Sequence, residues 1–308
     1  MRITNLTGVL SCGNVCYDIA VWPVSDLNWN TSTWVEHIVE SPGGNGGNTS
    51  YVVAKLGLPS RLISVAGADE RGDRLKAILR SAGVDISQML TSADLPTPTS
   101  TVLVHRGGDR KFLHRPGASQ GIIAADVRFL PDPAISHFHL ANPFSLPSLR
   151  ADSGEILKRA KDAGLTTSLD TGWDSKGRWL VDVGPALPHT DLLFLNDSEA
   201  EMLGGVEHLR ELGAGDIVMK TGPRGCTVYP LDGEATDVPG FVVEAMDSTG
   251  AGDCFAGAFL VGIAHGWNQE ACARFANAVG ALNVERIGSV AGILNFDETV
   301  EWMNSKNS

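Results

Sequence analysis

Two hydrophobic periods alternate along most of the chain. Short apolar runs at 62–66 and 137–141 predict buried strands, whereas the segments 70–82 and 148–163 carry the spacing of amphipathic helices. Each of these helices is followed directly by a glycine, the residue that most often ends a helix. Strands that alternate with helices in this way predict an α/β fold, with a mostly parallel sheet that is covered by helices on both faces.

Polar residues mark the ends of three further predicted strands. These strands cover 166–170, 192–196 and 216–220, and their last residues are Asp170, Asn196 and Lys220. In parallel sheets, ligands bind beyond the carboxyl ends of the strands. We therefore expect the functional site at this edge, with two helices near the end of the chain packed against the sheet.

Two stretches interrupt the alternation. Residues 19–39 are rich in Trp, Thr, Ser and Asn without a helical stripe, and two strands over 99–105 and 111–115 flank a turn-rich connection. We interpret these stretches as a small β-sheet lid, with segments about 16–41 and 97–117 inserted into a single domain that spans 1–308. An edge hairpin without a function is the alternative interpretation.

Composition narrows the function classes. The 308 residues include 24 Lys and Arg against 36 Asp and Glu, a formal net charge of −12. This charge argues against broad contact with nucleic acid or an anionic membrane, but local dipoles can still hold one nucleotide. No apolar run approaches the roughly 18 residues of a membrane span. The five cysteines, an odd number in mostly apolar surroundings, favour buried thiols and a cytoplasmic protein.

The first candidate motif is the glycine-rich segment 43–48, which reads GGNGGN and precedes a helical segment over 49–56. Its glycines permit backbone conformations that other residues avoid, and its amides and Asn side chains can bind hydroxyl groups. The motif predicts a binding loop, with an ordinary flexible turn as the alternative.

The second motif, DSTGAGD over 247–253, places two glycines and an aspartate at the start of a predicted helix. Free backbone N–H groups at a helix N-terminus attract anions, and glycine lets a phosphate approach closely. Asp253 beside such a site can accept a proton from an attacking hydroxyl, so the motif indicates phosphoryl transfer. It is neither a P-loop nor the dinucleotide-binding fingerprint. The alternative is that Asp253 is only a favourable charge at a helix start.

Two shorter motifs are less specific. Asn196 and Glu199 follow a strand and open a helix, so they form either a capping box or a carboxylate site that organises hydrated Mg²⁺. The segment TGPRG over 221–225 connects two strands and by its chemistry alone is a turn.

In this order and spacing, the four motifs together resemble the ribokinase-like, or PfkB, family of carbohydrate kinases, over nearly the whole chain. The segment 43–48 is similar to the first family signature, and 247–253, continued through 258, is similar to the second. The resemblance implies a three-layer α/β/α domain with a small β-sheet lid. That fold agrees with the one predicted from the alternation and its two interruptions.

The resemblance also implies roles for individual residues. The catalytic base is matched by Asp253, and the anion hole is matched by Gly250, Ala251 and Gly252. The ligands of the sugar hydroxyls are matched by Asp18, Gly43, Gly44, Asn45 and Asn48. The Mg²⁺ and phosphate motif is matched by Asn196 and Glu199, and the nucleotide side by Thr221, Gly222, Gly225 and Asn277. A monovalent-cation site of some members, for an ion such as K⁺, lies near the positions of Asp247 and Thr249.

Two departures from the family pattern put ribose in question as the substrate. Asn45 stands where ribokinases commonly carry Lys, and Asn142 falls near the position of a sugar-binding Glu. We therefore include Asn142 among the candidate substrate ligands. Neither departure touches the phosphoryl-transfer machinery.

The prediction is an ATP-dependent, Mg²⁺-using kinase that phosphorylates a hydroxymethyl group of a small carbohydrate. We expect Asp253 to stay ionised as its base, because the residue lies at a helix start. One alternative is a nucleoside kinase of the same fold, for which Trp22, Trp29 and Trp34 can supply an apolar lid wall. Another is a non-catalytic sugar-sensing protein, and a nucleotide-dependent dehydrogenase lacks its fingerprint. The three Trp can instead pack a contact between two lids, and we expect a homodimer through the lid.

Overall fold

The computed structural model describes residues 3, 5–25, 27–107 and 109–306, over which strands and helices follow one another along the chain. Strands β1 to β13 are Val9–Gly13, Cys16–Trp22, His37–Gly43, Ser60–Gly67, Met89–Ser92, Thr99–Val104, Arg110–Arg115, His137–Ala141, Thr166–Asp170, Leu192–Asn196, Asp216–Lys220, Gly225–Tyr229 and Thr236–Pro239. Helices α1 to α9 are Asn45–Lys55, Glu70–Ser81, Ser153–Asp162, Leu180–Val183, Asp197–Met202, Gly205–Glu211, Ala251–Ala264, Gln269–Val284 and Phe296–Ser305.

The main sheet has the strand order β13-β12-β11-β10-β9-β8-β1-β4-β5. The pairings from β11 to β5 are parallel, and β12 and β13 add an antiparallel edge. From β1 the chain builds outward to β4 and β5, then returns to β8 on the other side and continues to β13. This reversal between β1 and β8 opens a crevice at the carboxyl ends of both strands, where ligands of such sheets bind. The predicted mostly parallel sheet is confirmed.

Helices cover both faces of this sheet, because successive strand residues point to opposite sides. Phe194 and Val218 face the layer that contains α1, α7 and α8, whereas Leu140 and Leu193 face the layer that contains α3. The ring of Phe194 meets the ring of Phe259 on α7 edge-on, with centroids 5.6 Å apart. The three-layer α/β/α architecture predicted from the alternation is confirmed.

A second, smaller sheet has the order β3-β2-β6-β7. It is assembled from two separate chain segments, since β2 pairs antiparallel with β3 and parallel with β6, and β7 completes a hairpin with β6. The small sheet predicted from the two interruptions is confirmed. The assignment of 1–308 to a single domain stays a prediction.

Two helices begin at positions that differ from the prediction. α1 starts at Asn45, inside the glycine-rich motif, because Gly44 has a φ of 84° and turns the chain directly from β3 into the helix. α3 starts at Ser153 instead of near 148. Before it, Arg150–Asp152 tightens into a 3-10 turn, and the buried Arg150 guanidinium pairs with Asp174 at 2.8 Å and with Asp182.

Two chemical expectations also bear on the fold. Every helix in the described part of the chain is too short or too polar to cross a lipid bilayer. The five cysteines are free and buried, as their apolar surroundings predict.

We expect Phe194→Ala to lower the free energy of unfolding by about 3–5 kcal/mol, because the truncated side chain leaves a cavity between the sheet and α7. The control is Phe112→Ala in β7, where the side chain is 46% exposed, with an expected loss below about 1 kcal/mol. Urea unfolding followed by circular dichroism measures both. Equal losses in the two variants would contradict this assignment of the core.

Candidate active site

A close approach between β1 and α1 builds the floor of the crevice. Gly13 ends β1, and a Cβ added to it would lie only 2.8 Å from the backbone of Gly46 in the first turn of α1. The backbone N–H of Asn45 donates a hydrogen bond of 2.9 Å to Oδ1 of Asn14, which follows β1. The glycine-rich motif therefore forms the first turn of a helix that is seated directly against the strand ends.

Asp253 is the point at which the two glycine-containing motifs meet. It lies in the first turn of α7, which begins after Gly250, a residue with a φ of 73°. Its Oδ1 accepts a hydrogen bond from Asn45 Nδ2 and its Oδ2 accepts one from Asn48 Nδ2, each at 2.8 Å. Asn45 and Asp253 are 208 positions apart in the sequence. The carboxylate keeps further lone pairs free for a ligand.

Two more side chains orient the amides that hold Asp253. Asn142 Nδ2 donates to Asn45 Oδ1 at 3.0 Å, and the Ser289 hydroxyl shares its one proton between Asn48 Oδ1 at 2.9 Å and the carbonyl of Pro42 at 2.5 Å. Since both amide oxygens are engaged from outside, both amide N–H₂ groups face the carboxylate. The Oδ1 atom of Asn142 is itself buried without a hydrogen-bond partner among the described residues, so it can accept a bond from a bound hydroxyl.

Burial raises the pKa of the Asp253 carboxyl to about 6, and the negative charge of Asp170 adds to the increase. The amides of Asn48 and Asn45 and the ammonium of Lys220 act in the opposite direction. The sequence predicts that the helix start keeps this carboxylate ionised, but the loss of water outweighs the helix dipole. The carboxylate is therefore mainly ionised only above pH 6, in the range that suits a general base.

Asp18 presents a second carboxylate, from β2 of the small sheet. Its side chain is 5% exposed, and its Oδ1 has no hydrogen-bond partner within the described chain. A Cβ at Gly43 would collide with this carboxylate, so the glycine makes room for it. Burial raises the pKa of Asp18, and the charge of Asp247 adds to the effect. A buried carboxylate oxygen without a partner is rare in folded proteins and indicates a ligand that donates a hydrogen bond.

Asn196 and Glu199 form a capping box, which is one of the two arrangements that the sequence predicts for them. Asn196 Oδ1 accepts from the N–H of Glu199 at 2.8 Å, and Glu199 Oε2 accepts from the N–H of Asn196 at 2.9 Å and from Thr171 Oγ1 at 3.2 Å. Burial raises the pKa of Glu199. Within 3, 5–25, 27–107 and 109–306, no three His, Cys, Asp or Glu side chains are arranged to hold a metal directly.

Asp247 fastens the second motif to the turn that follows α8. Its Oδ1 accepts from the N–H of Thr249 at 2.9 Å and from Thr249 Oγ1 at 2.6 Å, and its Oδ2 accepts from the N–H of Gly288 at 3.0 Å. Asn283 Nδ2 donates to the carbonyls of Thr249 and Ser289, both at 3.1 Å. The bonds from Asn283 hold two carbonyl groups together beside the motif, and a role for Asp247 and Thr249 near a monovalent cation stays a prediction.

The residues predicted for the nucleotide side lie around β12. The segment 221–225 forms a turn in which Gly222 has a φ of 61° and Gly225 a φ of 103°, and the N–H of Thr221 donates to the carbonyl of Gly225 at 2.8 Å. Asn277 on α8 uses its Nδ2 to bond the carbonyls of Val238 at 3.0 Å and of the next residue at 3.2 Å. Asn277 thus braces β13 against α8, and its contact with a nucleotide stays a prediction.

Asp170 and Lys220 lie at strand ends, as the sequence predicts, but no sequence motif assigns either of them a role. In the structure, Lys220 Nζ lies 2.6 Å from Asp170 Oδ2, with 14% of the Lys220 side chain and 7% of the Asp170 side chain exposed. Burial acts to lower the pKa of Lys220, but the charges of Asp170 and Glu199 outweigh it and raise the pKa. The signal available in the sequence was a polar residue at the end of each of three adjacent parallel strands.

The lid tryptophans do not act together. Trp29 and Trp34 are 95% and 93% exposed, so in this chain they do not form a wall over the crevice. Trp22 instead stacks on His37, with ring centroids 5.6 Å apart, and packs beside the buried Val102 and Val104. At the lid edge, Arg110 Nη1 donates to the hydroxyl of Ser248, which joins the lid to the second motif.

Comparisons with known proteins find relatives along nearly the whole chain. The family described as pfkB family carbohydrate kinase matches residues 9–295. A nucleoside kinase of Methanothermobacter thermautotrophicus is 28% identical over 298 residues, which cover 95% of this chain and 94% of the relative. An ATP-dependent ribose-1-phosphate kinase of Halopiger xanaduensis is 30% identical over 287 residues, which cover 91% of this chain and 93% of the relative.

A solved structure supports the fold independently. The Arabidopsis thaliana ribokinase complexed with ribose and ATP superposes with a TM-score of 0.78 at 21% sequence identity. The alignment covers 97% of this chain and 99% of that structure. At this identity the likeness establishes the fold.

We expect Asp253→Asn to reduce the pH dependence of the free energy of unfolding by about 1–3 kcal/mol, since a rise of one pKa unit corresponds to about 1.4 kcal/mol. Folding raises the pKa of this carboxyl from 3.8 to about 6, so the wild type loses stability as the pH rises through that window, and Asn cannot ionise. The variant also places an amide N–H₂ group against the amide of Asn45 or Asn48, at a cost that does not depend on pH. Urea unfolding at each pH from 3.8 to about 8, with Asp162→Asn at an exposed position as the control, therefore compares the loss of stability over this range. An equal loss in the variant and the wild type would contradict the raised pKa.

Proposed function

Because the chain belongs to the pfkB family of carbohydrate kinases, and is a phosphotransferase that acts on a sugar hydroxyl, we propose that Asp253 is its catalytic base. The observation that carries the proposal is the pair of hydrogen bonds from Asn45 and Asn48 to the Asp253 carboxylate. These bonds connect the predicted acceptor motif to the predicted anion-binding motif at a single group. A base with a pKa of about 6 is largely deprotonated at neutral pH.

The acceptor is proposed to be a small carbohydrate that binds between the lid and the crevice. Two buried oxygens without partners, Asp18 Oδ1 and Asn142 Oδ1, supply acceptors for its hydroxyl groups. Asn45 and Asn48 each use one amide N–H for Asp253, which leaves a second N–H for the substrate. Gly43 and Gly44 give room and curvature for this arrangement.

The proposed reaction transfers the γ-phosphoryl group of ATP to a hydroxymethyl group. As the acceptor oxygen bonds to phosphorus, its proton passes to Asp253, and the bond from phosphorus to the bridging oxygen breaks to release ADP. Backbone N–H groups of Gly250, Ala251 and Gly252 lie at the start of α7, where they can stabilise charge on the transferred group. Most of the rate then comes from positioning and electrostatic stabilisation, because this transfer needs little covalent help from the protein.

The nucleotide is proposed to lie along the neighbouring strand ends. The turn of Thr221, Gly222 and Gly225 opens beside β11 and contacts the nucleotide in this proposal, with Asn277 on its adenine side. The ribokinase structure with bound ATP has the same fold as this chain and supports ATP as the donor.

Mg²⁺ is proposed to be held through water by Asn196 and Glu199. The buried carboxylate of Glu199 and the absence of a three-ligand cluster in the described chain fit an ion that keeps its water ligands. When bound, Mg²⁺ neutralises charge on the nucleotide phosphates. A monovalent cation, such as K⁺, is proposed to bind beside Asp247 and Thr249. The two carbonyl groups that Asn283 holds at this turn can serve as its ligands.

A nucleoside acceptor is the second candidate, and one observation favours it. Asp18, Ala20 and Trp22 alternate along β2 and therefore share the crevice-facing side of the lid. Ala20 and Trp22 belong to an apolar cluster that can support a planar base, whereas Asp18 remains available for a ribose hydroxyl. A relative named as a nucleoside kinase is consistent with this candidate.

We propose that two copies of the chain form a homodimer through the outer face of the lid, which is the face that points away from the crevice. Ile38 and Leu113 are 66% and 56% exposed, and the strand register places them with Val21 and Leu103 on the outer face. Burial of such a face in a second copy removes apolar surface from water. The five buried free thiols support a cytoplasmic protein.

We expect Asp253→Asn to lower kcat for the best acceptor by about 10²–10⁴, the usual contribution of a positioned base. ADP release is measured with a panel of sugars, sugar phosphates and nucleosides, and the panel also identifies the substrate. Asp162→Asn, which makes the same change at an exposed position, should retain the wild-type rate. Turnover of Asp253→Asn at close to the wild-type rate would remove Asp253 from this role.

A second variant tests the metal side. Glu199→Gln should raise the Mg²⁺ concentration for half-maximal rate by about 10-fold or more, the range for groups that orient metal ligands. Gln can also complete a capping box, so the helix start is preserved. Glu201→Gln, on the exposed side of the same helix, should leave the Mg²⁺ titration unchanged. An unchanged titration for Glu199→Gln would leave Glu199 as a capping residue alone.

A further inference from the structure

Lys220 ends β11 with its ammonium group against the start of α7. A Cβ added to Gly252 would lie 3.3 Å from Lys220 Nζ, so the lysine occupies the space that this glycine leaves open. The lysine side chain is 14% exposed. The ammonium and the backbone N–H groups of the second motif therefore border the same small volume.

This position is unusual for a cation. The N-terminus of a helix carries a partial positive charge, which favours anions and disfavours a nearby ammonium group. A buried charge is also costly unless it is paired. Asp170 pairs with Lys220 directly at 2.6 Å, and Glu199 and Asp253 add negative charge around it. The carboxylates thus hold a cation where the helix start already attracts anions.

The ammonium group of Lys220 keeps hydrogen-bond donors that the described part of the protein does not use. Lys220 has three N–H donors, and within the described residues its one hydrogen bond is to Asp170 Oδ2. Two donors remain for a ligand that enters the space beside Gly252. A ligand with several anionic oxygens satisfies both the free donors and the backbone N–H groups of α7.

We propose that Lys220 is a further catalytic residue, whose ammonium group contacts the phosphoryl group during its transfer. The contact comes from the sheet, opposite the backbone N–H groups that approach from α7. Asp170 is a positioning residue in this arrangement, since it holds the ammonium in place before the nucleotide binds. The inference rests on the proposed function and adds a residue that no motif assigned.

Nucleotide binding tests the contact without any turnover. Isothermal titration calorimetry compares ADP with the non-hydrolysable triphosphate adenylyl imidodiphosphate, in wild type and in Lys220→Met. Loss of the ammonium should weaken triphosphate binding at least tenfold and ADP binding less than threefold. Lys220→Gln, which can still bond Asp170, should behave like Lys220→Met, whereas Lys158→Met at an exposed site should match the wild type.

Two binding results would overturn the assignment. An unchanged preference for the triphosphate in both Lys220 variants would show that the ammonium does not meet the third phosphate. Equal weakening of both nucleotides would place it on the other phosphates. If the wild type itself binds neither nucleotide, the proposed function fails as well, so the two failures are distinguishable.

The rate and its pH dependence separate a catalytic contact from a structural ion pair. Lys220→Met should lower kcat by about 10²–10³, the cost of removing one donor to a charged transition state, with the acceptor KM changed less than threefold. Asp170→Asn breaks the same ion pair but keeps the ammonium, so its loss should stay below tenfold.

The two variants should also shift the acidic limb of kcat/KM in opposite directions. Asp253 is faced by Asp170 from β9, by Lys220 from β11 and by the neutral amides of Asn45 and Asn48 from α1. Removal of the positive charge raises the pKa of Asp253, and removal of the negative charge of Asp170 lowers it. Equal losses of kcat with no opposite shift would reduce Lys220 to a structural partner of Asp170 and overturn the proposal.

Discussion

The hydrogen bonds from Asn45 and Asn48 to Asp253 are the contact on which the rest of this molecule depends. They require the first turns of α1 and α7 to lie next to each other in space, although the two helices are far apart in the sequence. Gly13 and Gly46 allow α1 to rest against the end of β1, and Gly250 turns the chain into α7. The switch point of a parallel sheet provides the open edge at which two such helix starts can face each other.

The charged side chains at this edge act through their positions relative to one another, which the net charge of the chain does not describe. Asp170, Glu199 and Asp253 surround a single ammonium group, that of Lys220. Burial keeps water away from these groups, so each charge acts strongly on its neighbours. The pKa of Asp253 rises to about 6 as a result, while the start of α7 and Lys220 together favour an incoming anion. A net charge of −12 for the chain is therefore compatible with a local site for phosphate groups.

The two faces of the lid present different side chains, because successive residues of a β-strand point to opposite sides of the sheet. Asp18, Ala20 and Trp22 point toward the crevice, whereas Val21 points outward with the exposed Ile38. One sheet thus presents a polar and apolar surface to the crevice and a mainly apolar surface to solvent. The proposed acceptor site and the proposed dimer contact therefore use neighbouring residues of the same strands.

Local periodicity and motif chemistry were enough to predict the parallel sheet, the second small sheet and the roles proposed for 43–48 and 247–253, because these features depend on neighbours in the sequence. The capping box of Asn196 and Glu199 was also open to prediction, since three residues suffice to form it. Tertiary structure alone decided that Asn45 and Asn48 hold Asp253, and that the ammonium group of Lys220 lies beside Gly252. It also decided the pKa of Asp253, for which the sequence predicted only the effect of the helix start. Burial and long-range contacts set these properties, and neither is encoded in the spacing of residues along the chain.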